Sequence, residues 1–243
     1  MPERIPNQAS PFSGLATAEK EALYREATAL LTEERRQTFD RLAALRTRHV
    51  SVLLEDVYQA HNAAAVLRSC DCFGVQDVHV VDAHNPFKPA SDVAVGSAKW
   101  VDYYRYGSIQ DAYAALHAKG YRIVATLPHE HDQMIGELDI SRPTVLVFGT
   151  ELTGLTQEAI AGADAYVKVP MYGFTESFNI SVCAALSLFS LTERMRHSGE
   201  VEWRLDADAQ LDLKLHWAMH SLRDGEATMQ ALRERIIGQK GRN

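Results

Sequence analysis

Short apolar runs alternate with longer amphipathic segments between residues 50 and 197, and this alternation restricts the possible folds more than any other feature of the sequence. The runs predict strands at Val50–Leu54, Asp77–Val81, Tyr121–Thr126, Thr144–Phe148 and Ala165–Val169. The intervening segments predict helices at His61–Phe73, Ser108–Ala118, Thr156–Ala161 and about Ser177–Met195, with a further edge strand within Lys99–Tyr106. Such alternation is typical of an α/β fold with a mainly parallel sheet.

Helical patterns flank this central part on both sides. Apolar residues recur at spacings of three and four from Thr17 to Arg46, after a tail with several prolines, and again beyond His197. We therefore expect three segments: residues 1–45 as a tail and basic helical extension, residues 46–197 as the α/β domain, and residues 198–243 as a C-terminal helical extension.

No segment of the sequence has the pattern of a membrane span or a secretory signal. The apolar runs are interrupted well before the roughly 20 residues that cross a bilayer. The first residues carry no apolar run behind a basic start. Three cysteines, an odd and sparse set, fit reduced thiols better than a disulfide framework. We therefore expect a cytoplasmic protein with no membrane partner.

The net charge of -7 argues at first against a nucleic acid partner, because binding to phosphate normally leaves a basic footprint. The excess of acidic residues, however, lies between residues 51 and 200. Arginines are concentrated just before the first predicted strand, at Arg35, Arg36, Arg41, Arg46 and Arg48. They form either a local basic patch or an ordinary solvated helix face.

Several common catalytic signatures are absent from the sequence. Gly149 and Gly154 lack the following Lys and Ser or Thr of a phosphate-binding loop, and neither a dinucleotide-binding glycine motif nor a Gly-x-Ser-x-Gly elbow is present. Four consecutive polar residues are metal ligands by type: His129, Glu130, His131 and Asp132. Because consecutive side chains rarely converge on one ion, we expect a surface loop there and no metal.

Three segments place polar residues or glycines directly after an apolar strand, where open α/β sheets bind their ligands. The first is the helix that begins at His61. Asn62 is either an N-terminal cap of this helix or a site residue. Arg68 stands among apolar residues of the same helix, where a guanidinium needs a partner.

The second segment follows the strand that ends at Phe148. Gly149 permits close approach of a ligand to the backbone, and Glu151 follows almost at once. A plain strand-to-helix turn with a carboxylate near the helix start would have the same pattern.

The third segment leads from Val169 into the long predicted helix. Ser177 is a candidate cap for that helix. Asn179 is predicted to lie inside its first turn, where asparagine is unfavourable unless its side chain has a role.

Together these segments resemble the three ordered motifs of the SPOUT superfamily, and more closely those of the TrmH family of S-adenosylmethionine-dependent RNA ribose 2′-O-methyltransferases. The resemblance lies in Asn62 with Arg68, in Phe-Gly-x-Glu-x-x-Gly-Leu at 148–155, and in Val-Pro-Met-x-Gly-x-x-x-Ser-x-Asn-x-Ser-Val at 169–182. It covers about residues 46–197, and three spaced motifs in the right order are far more specific than any one of them.

The resemblance implies a deep trefoil knot in the C-terminal part of the sheet, a homodimer, and S-adenosylmethionine as cofactor. The cofactor-binding residues that it implies are Thr126, Gly149, Val169, Met171 and Phe178. The catalytic residues that it implies are Asn62, Arg68, Glu151, Ser177 and Asn179. The five arginines before the domain match the place of a basic RNA-binding arm.

The resemblance favours transfer RNA, with the D-loop guanosine as target, because the chain has short helical extensions instead of a separate N-terminal RNA-binding domain. Ribosomal RNA is the alternative substrate, and a non-catalytic RNA-binding dimer is the alternative of a different class. In the family, the arginine that matches Arg68 is assigned as the base that accepts the ribose proton. Because the pKa of arginine exceeds about 12, we expect instead that Arg68 clamps a phosphate.

Overall fold

A seven-stranded parallel sheet forms the centre of the unit made by residues 47–203. This computed structural model describes residues 10–57, 59–83, 99–128 and 133–240. The strands are β1 (Val50–Glu55), β2 (Asp77–Val81), β3 (Asp102–Tyr106), β4 (Arg122–Thr126), β5 (Gln133–Met134), β6 (Thr144–Phe148) and β7 (Ala165–Lys168). Their order in the sheet is β3-β2-β1-β6-β4-β7-β5, and each neighbouring pair is parallel. The α/β fold with a parallel sheet is therefore confirmed.

The central strands are buried on both faces. Every residue of β1, β2 and β6 is buried. Along β6, Leu146 and Phe148 belong to one hydrophobic cluster, whereas Val145 and Val147 belong to another. Burial on both faces explains why these strands are continuous apolar runs in the sequence.

Helices cover both faces of this sheet. The α-helices of the described residues are α1 (Thr17–Thr28), α2 (Glu33–Ala43), α3 (Ala60–Phe73), α4 (Ile109–Ala118), α5 (Gln157–Ala161), α6 (Ile180–His197), α7 (Ala207–Ser221) and α8 (Gly225–Lys240). The helices α3 and α6 pack together on one face, and α4 and α5 contribute to the core on the other. The site segments that follow β1, β6 and β7 therefore begin at strands of a sheet that lies between two helix layers.

The structure differs from the sequence prediction at the strand β5 and at the start of the helix α6. The strand β5 is only two residues long and was not predicted, because so short a segment carries no periodic pattern. The helix α6 begins at Ile180 rather than at about Ser177. The residues before it form an extended loop.

Helices from the two ends of the chain pack together in a second unit, residues 8–46 and 204–243. The helix α1 packs on α7 and α8, and α2 packs on α7. The ammonium group of Lys20, on a side chain only 4% exposed, lies 2.7 Å from Asp208 and 2.8 Å from Asp212. The sequence predicts two separate extensions instead, because pairing between distant segments leaves no local pattern.

Among the described residues, no helix combines the length and the apolar character that crossing a membrane requires. The same residues contain no group of three metal-ligating side chains. The polar run from His129 to Asp132 lies outside the described residues.

His79 is an ionisable side chain in the interior of the sheet unit. It lies on β2, its Nδ1 is 3.0 Å from the hydroxyl of Tyr106, and its ring stacks on Tyr104. The ring is 0% exposed. Burial, with a smaller contribution from the positive charge of Lys119, lowers the pKa of His79 to about 4.

We predict that His79 makes the fold sensitive to mild acid. In the unfolded chain the pKa of histidine is about 6.5, so between pH 6.5 and 4 the unfolded state binds a proton that the folded state excludes. The free energy of unfolding should therefore fall by about 2 kcal/mol from this group between pH 7 and pH 5. Urea unfolding of the wild type and of His79→Gln at both pH values measures this. Equal losses in the two proteins would contradict the assignment.

Candidate functional site

The three segments singled out in the sequence leave the sheet at one edge. They follow β1, β6 and β7, and because these strands are parallel their carboxyl ends lie on the same side. Chain order reverses across β1 and β6, which makes this edge a topological switch point, the usual ligand-binding position of an open α/β sheet.

Asn62 occupies the third position of α3 and is buried. The cap position of this helix belongs to Gln59, so the interpretation of Asn62 as the cap is wrong. The Nδ2 group of Asn62 donates to Oε1 of Gln59 at 3.1 Å. Its own Oδ1 atom is thereby turned toward another segment.

The loop after β6 is closed on itself. The backbone N–H groups of Thr150 and Gly154 each donate to the carbonyl of the other, at 3.0 and 3.1 Å. A Cβ atom on Gly149 would lie 2.2 Å from the carbonyl oxygen of Gly154, so only glycine fits at this position. The turn holds the exposed Glu151 at its tip.

Asn179 joins these two segments to the third. Its Nδ2 group donates to Oδ1 of Asn62 at 3.2 Å and also to Oε1 of Glu151. Its Oδ1 atom accepts from the backbone N–H of Ser181 at 2.9 Å, which makes Asn179 the N-cap of α6. The sequence pattern predicts Asn179 within the first turn and Ser177 as the cap. The structure reverses this and explains why asparagine is favourable here.

The other two predicted catalytic residues lie outside these contacts. Ser177 is exposed in the loop before α6. Arg68 is exposed on α3, and by ideal helix geometry its Cα is about 9 Å along the axis from that of Asn62 and roughly 120° around it. Hydrogen bonds therefore join Asn62, Glu151 and Asn179, and Arg68 stands further along α3.

The predicted cofactor-binding residues follow three neighbouring strands. Thr126 ends β4, and its hydroxyl donates to the carbonyl of Val147 at 2.7 Å. Gly149 follows β6, and Val169 and Met171 follow β7, all three half-buried. Phe178, in the loop before α6, is 39% exposed. Half-buried groups at adjacent strand ends suit a small ligand that is partly enclosed.

The predicted basic arm divides into exposed and internal arginines. Arg35, Arg36 and Arg41 are exposed on α2. Arg46 is buried, and its guanidinium lies 5.2 Å from the centre of the Trp217 ring. Arg48 forms ion pairs at 3.0 Å with both Asp77 and Asp102. The guanidinium groups of Arg46 and Arg48 are thus engaged within the fold, so the three exposed arginines are the stronger candidates for phosphate contact.

Sequence reasoning missed Glu55, the last residue of β1. It is buried beside this edge of the sheet, and its carboxylate accepts two hydrogen bonds from Thr156. The only signal in the sequence is an acidic residue at the end of an apolar run, which by itself is an ordinary strand end.

Comparison with known proteins agrees with this geometry. The model described as the SpoU rRNA Methylase family matches residues 49–189. The tRNA (guanosine(18)-2'-O)-methyltransferase of Borreliella burgdorferi is 37% identical over 187 residues, which are 77% of this chain and 85% of that relative.

Solved structures are similar as well. The A. aeolicus TrmH/SpoU tRNA modifying enzyme has a TM-score of 0.70 and 27% identity, with 78% of this chain and 99% of that chain covered. The AdoMet-bound rRNA methyltransferase from Sinorhizobium meliloti has a TM-score of 0.55 and 26% identity, with 64% of this chain and 59% of that chain covered. The chain belongs to the SpoU methylase family, the TrmH-type family whose three motifs its sequence carries.

Proposed function

We propose that the protein is a cytoplasmic S-adenosylmethionine-dependent methyltransferase that modifies the ribose 2′-hydroxyl of a guanosine in transfer RNA. The observation that carries the proposal is the contact of Asn179 with both Asn62 and Glu151, because it assembles one residue from each family motif. The choice of a transfer RNA guanosine follows the Borreliella burgdorferi relative, whose name specifies guanosine 18 of tRNA.

The residues at the ends of β4, β6 and β7 fit the cofactor. Gly149, Thr126, Val169 and Met171 are all half-buried where these strands leave the sheet on the same side. We propose that these residues and Phe178 hold S-adenosylmethionine. When bound, this cofactor supplies a methyl group activated by a sulfonium.

Methyl transfer requires little from the protein beyond alignment, which accounts for many powers of ten in rate. In the proposal, Asn62, Glu151 and Asn179 hold the target ribose through their remaining polar valences. Asn179 keeps the relative positions of the other two constant, because one amide group donates to both. Ser177 contributes a hydroxyl from the loop beside them.

Arg68 is proposed to clamp the phosphate next to the target ribose, and water accepts the proton that the ribose hydroxyl loses. A general base must come within about 3 Å of the ribose hydroxyl. The position of Arg68, about 9 Å further along α3 than Asn62, suits a neighbouring phosphate better. A guanidinium also binds phosphate through two parallel hydrogen bonds, which a base would not need.

RNA binding and assembly complete the proposal. Arg35, Arg36 and Arg41 are the proposed phosphate contacts, since they are the exposed members of the predicted arm. We further propose that the chain forms the trefoil knot of its family and a homodimer. The apolar side chains that α6 exposes, at Val182, Leu186 and Phe189, support a dimer through this helix.

Transfer of tritium from methyl-labelled S-adenosylmethionine tests the function. The wild type should label unmodified transfer RNA and leave ribosomal RNA unlabelled, and digestion should release the label as 2′-O-methylguanosine. The matched variant is Asn179→Ser, which should transfer less label. Serine also caps helices but lacks the amide that donates to Asn62 and Glu151. Label only in ribosomal RNA would favour the alternative substrate. No transfer, with no cofactor binding in calorimetry, would favour the RNA-binding dimer.

The role of Arg68 is tested by Arg68→Lys, which keeps the charge but loses the two-pronged geometry. If Arg68 is a clamp, kcat/KM should fall by at least about tenfold with an unchanged pH optimum. The control is Arg142→Lys, an exposed arginine before the amino end of β6, which should retain wild-type kinetics. Nearly full activity of Arg68→Lys with a shifted pH optimum would contradict the clamp and favour a base.

A further inference from the structure

Glu55 is a charged side chain in a position where strands normally place apolar ones. It ends β1 and is only 3% exposed, on the same sheet face as Leu53. A buried carboxylate is unfavourable unless hydrogen bonds or opposite charges compensate its desolvation. Its partners therefore indicate what it does.

Both oxygens of the Glu55 carboxylate are bound by one residue. Oε2 accepts the backbone N–H of Thr156 at 2.9 Å, and Oε1 accepts the hydroxyl of Thr156 at 2.6 Å. The Thr156 hydroxyl also accepts from the backbone N–H of Ala159, so Thr156 caps α5 by itself. The extra effect of Glu55 is to fix the backbone at Thr156.

Thr156 directly follows the Glu151 loop, which we define as residues 149–155. At the start of this loop, Gly149 packs against the backbone of Gly154. Leu155, next to Thr156, is buried in the hydrophobic cluster on the α4 and α5 face. The loop is thus held at one end by β6 and at the other by Glu55, while Glu151 between them stays exposed.

We propose that Glu55 is a positioning residue for methyl transfer, which holds Thr156 so that the Glu151 loop presents its carboxylate to Asn179. Glu55 does not touch the substrate in this proposal and acts through the loop alone. The proposal rests on the proposed methyltransferase function. It adds a fourth chain position, outside the three motif residues in contact, to the machinery of the site.

The test compares Glu55→Gln with Asp77→Asn. Glutamine offers one acceptor oxygen where Thr156 presents two donors, so the anchor is weakened with little change in volume. Asp77→Asn makes the same chemical change in a carboxylate that is 4% exposed and pairs with Arg48 at the opposite end of the sheet. The control therefore matches the loss of a buried charge but leaves the loop intact.

For Glu55→Gln we expect kcat to fall by about tenfold or more, with KM for RNA unchanged within about twofold. Hydrogen exchange of the backbone amides of residues 150–156 should become faster in the ligand-free protein. Asp77→Asn should show neither effect, and Thr156→Ser, which retains both donors, should behave as the wild type.

Wild-type kcat and exchange in folded Glu55→Gln would overturn the proposal, as would equal losses of kcat in Glu55→Gln and Asp77→Asn. If Glu55→Gln does not fold, Thr156→Val removes one of the two donors together with the cap of α5 and should give a loss with the same pattern. Unchanged kcat in that variant would equally overturn the proposal. If the wild type transfers no methyl group, the proposed function fails, and the exchange data alone decide whether Glu55 anchors the loop.

Discussion

The common direction of the strands is the constraint on which the site depends. Because β1, β6 and β7 are parallel, segments far apart in sequence leave the sheet at one edge and meet there. At that edge one side chain, Asn179, caps α6 with its oxygen and donates to Asn62 and Glu151 with its nitrogen. The same residue therefore determines where α6 starts and how Asn62 and Glu151 are positioned.

The sequence predicted what local patterns encode and missed what distant pairing decides. Apolar runs such as Thr144–Phe148 identified strands because their burial on both faces requires continuous apolar residues. Motif spacing singled out Asn62, Glu151 and Asn179, which the structure joins by hydrogen bonds, but not that Asn179 caps α6 or that Gln59 takes the cap of α3. Tertiary packing decides at which residue a helix starts. When several polar residues precede a helix, the sequence alone therefore does not show which of them is the cap.

The sequence also does not show which charged side chains are available to a partner. Five arginines before β1 suggested a basic arm, yet Arg46 stacks on Trp217 and Arg48 pairs with Asp77 and Asp102. The ring contact of Arg46 and the ion pairs of Arg48 engage these charges within the fold. Glu55 is the converse, an unremarkable acidic residue in the sequence that becomes a buried anchor of the Glu151 loop. Net charge therefore says little about a partner until the buried charges are separated from the exposed ones.

The proposed function requires that Asn179 and Glu151 act as one unit through the amide contact between them. A double-mutant cycle with Asn179→Ser, Glu151→Ala and the combined variant tests it most directly, with kcat/KM for methyl transfer as the measured quantity. We expect a coupling energy of about 1–3 kcal/mol, because the second substitution removes little once the first has broken the contact. Losses that simply add would contradict it and would mean that the two side chains act independently.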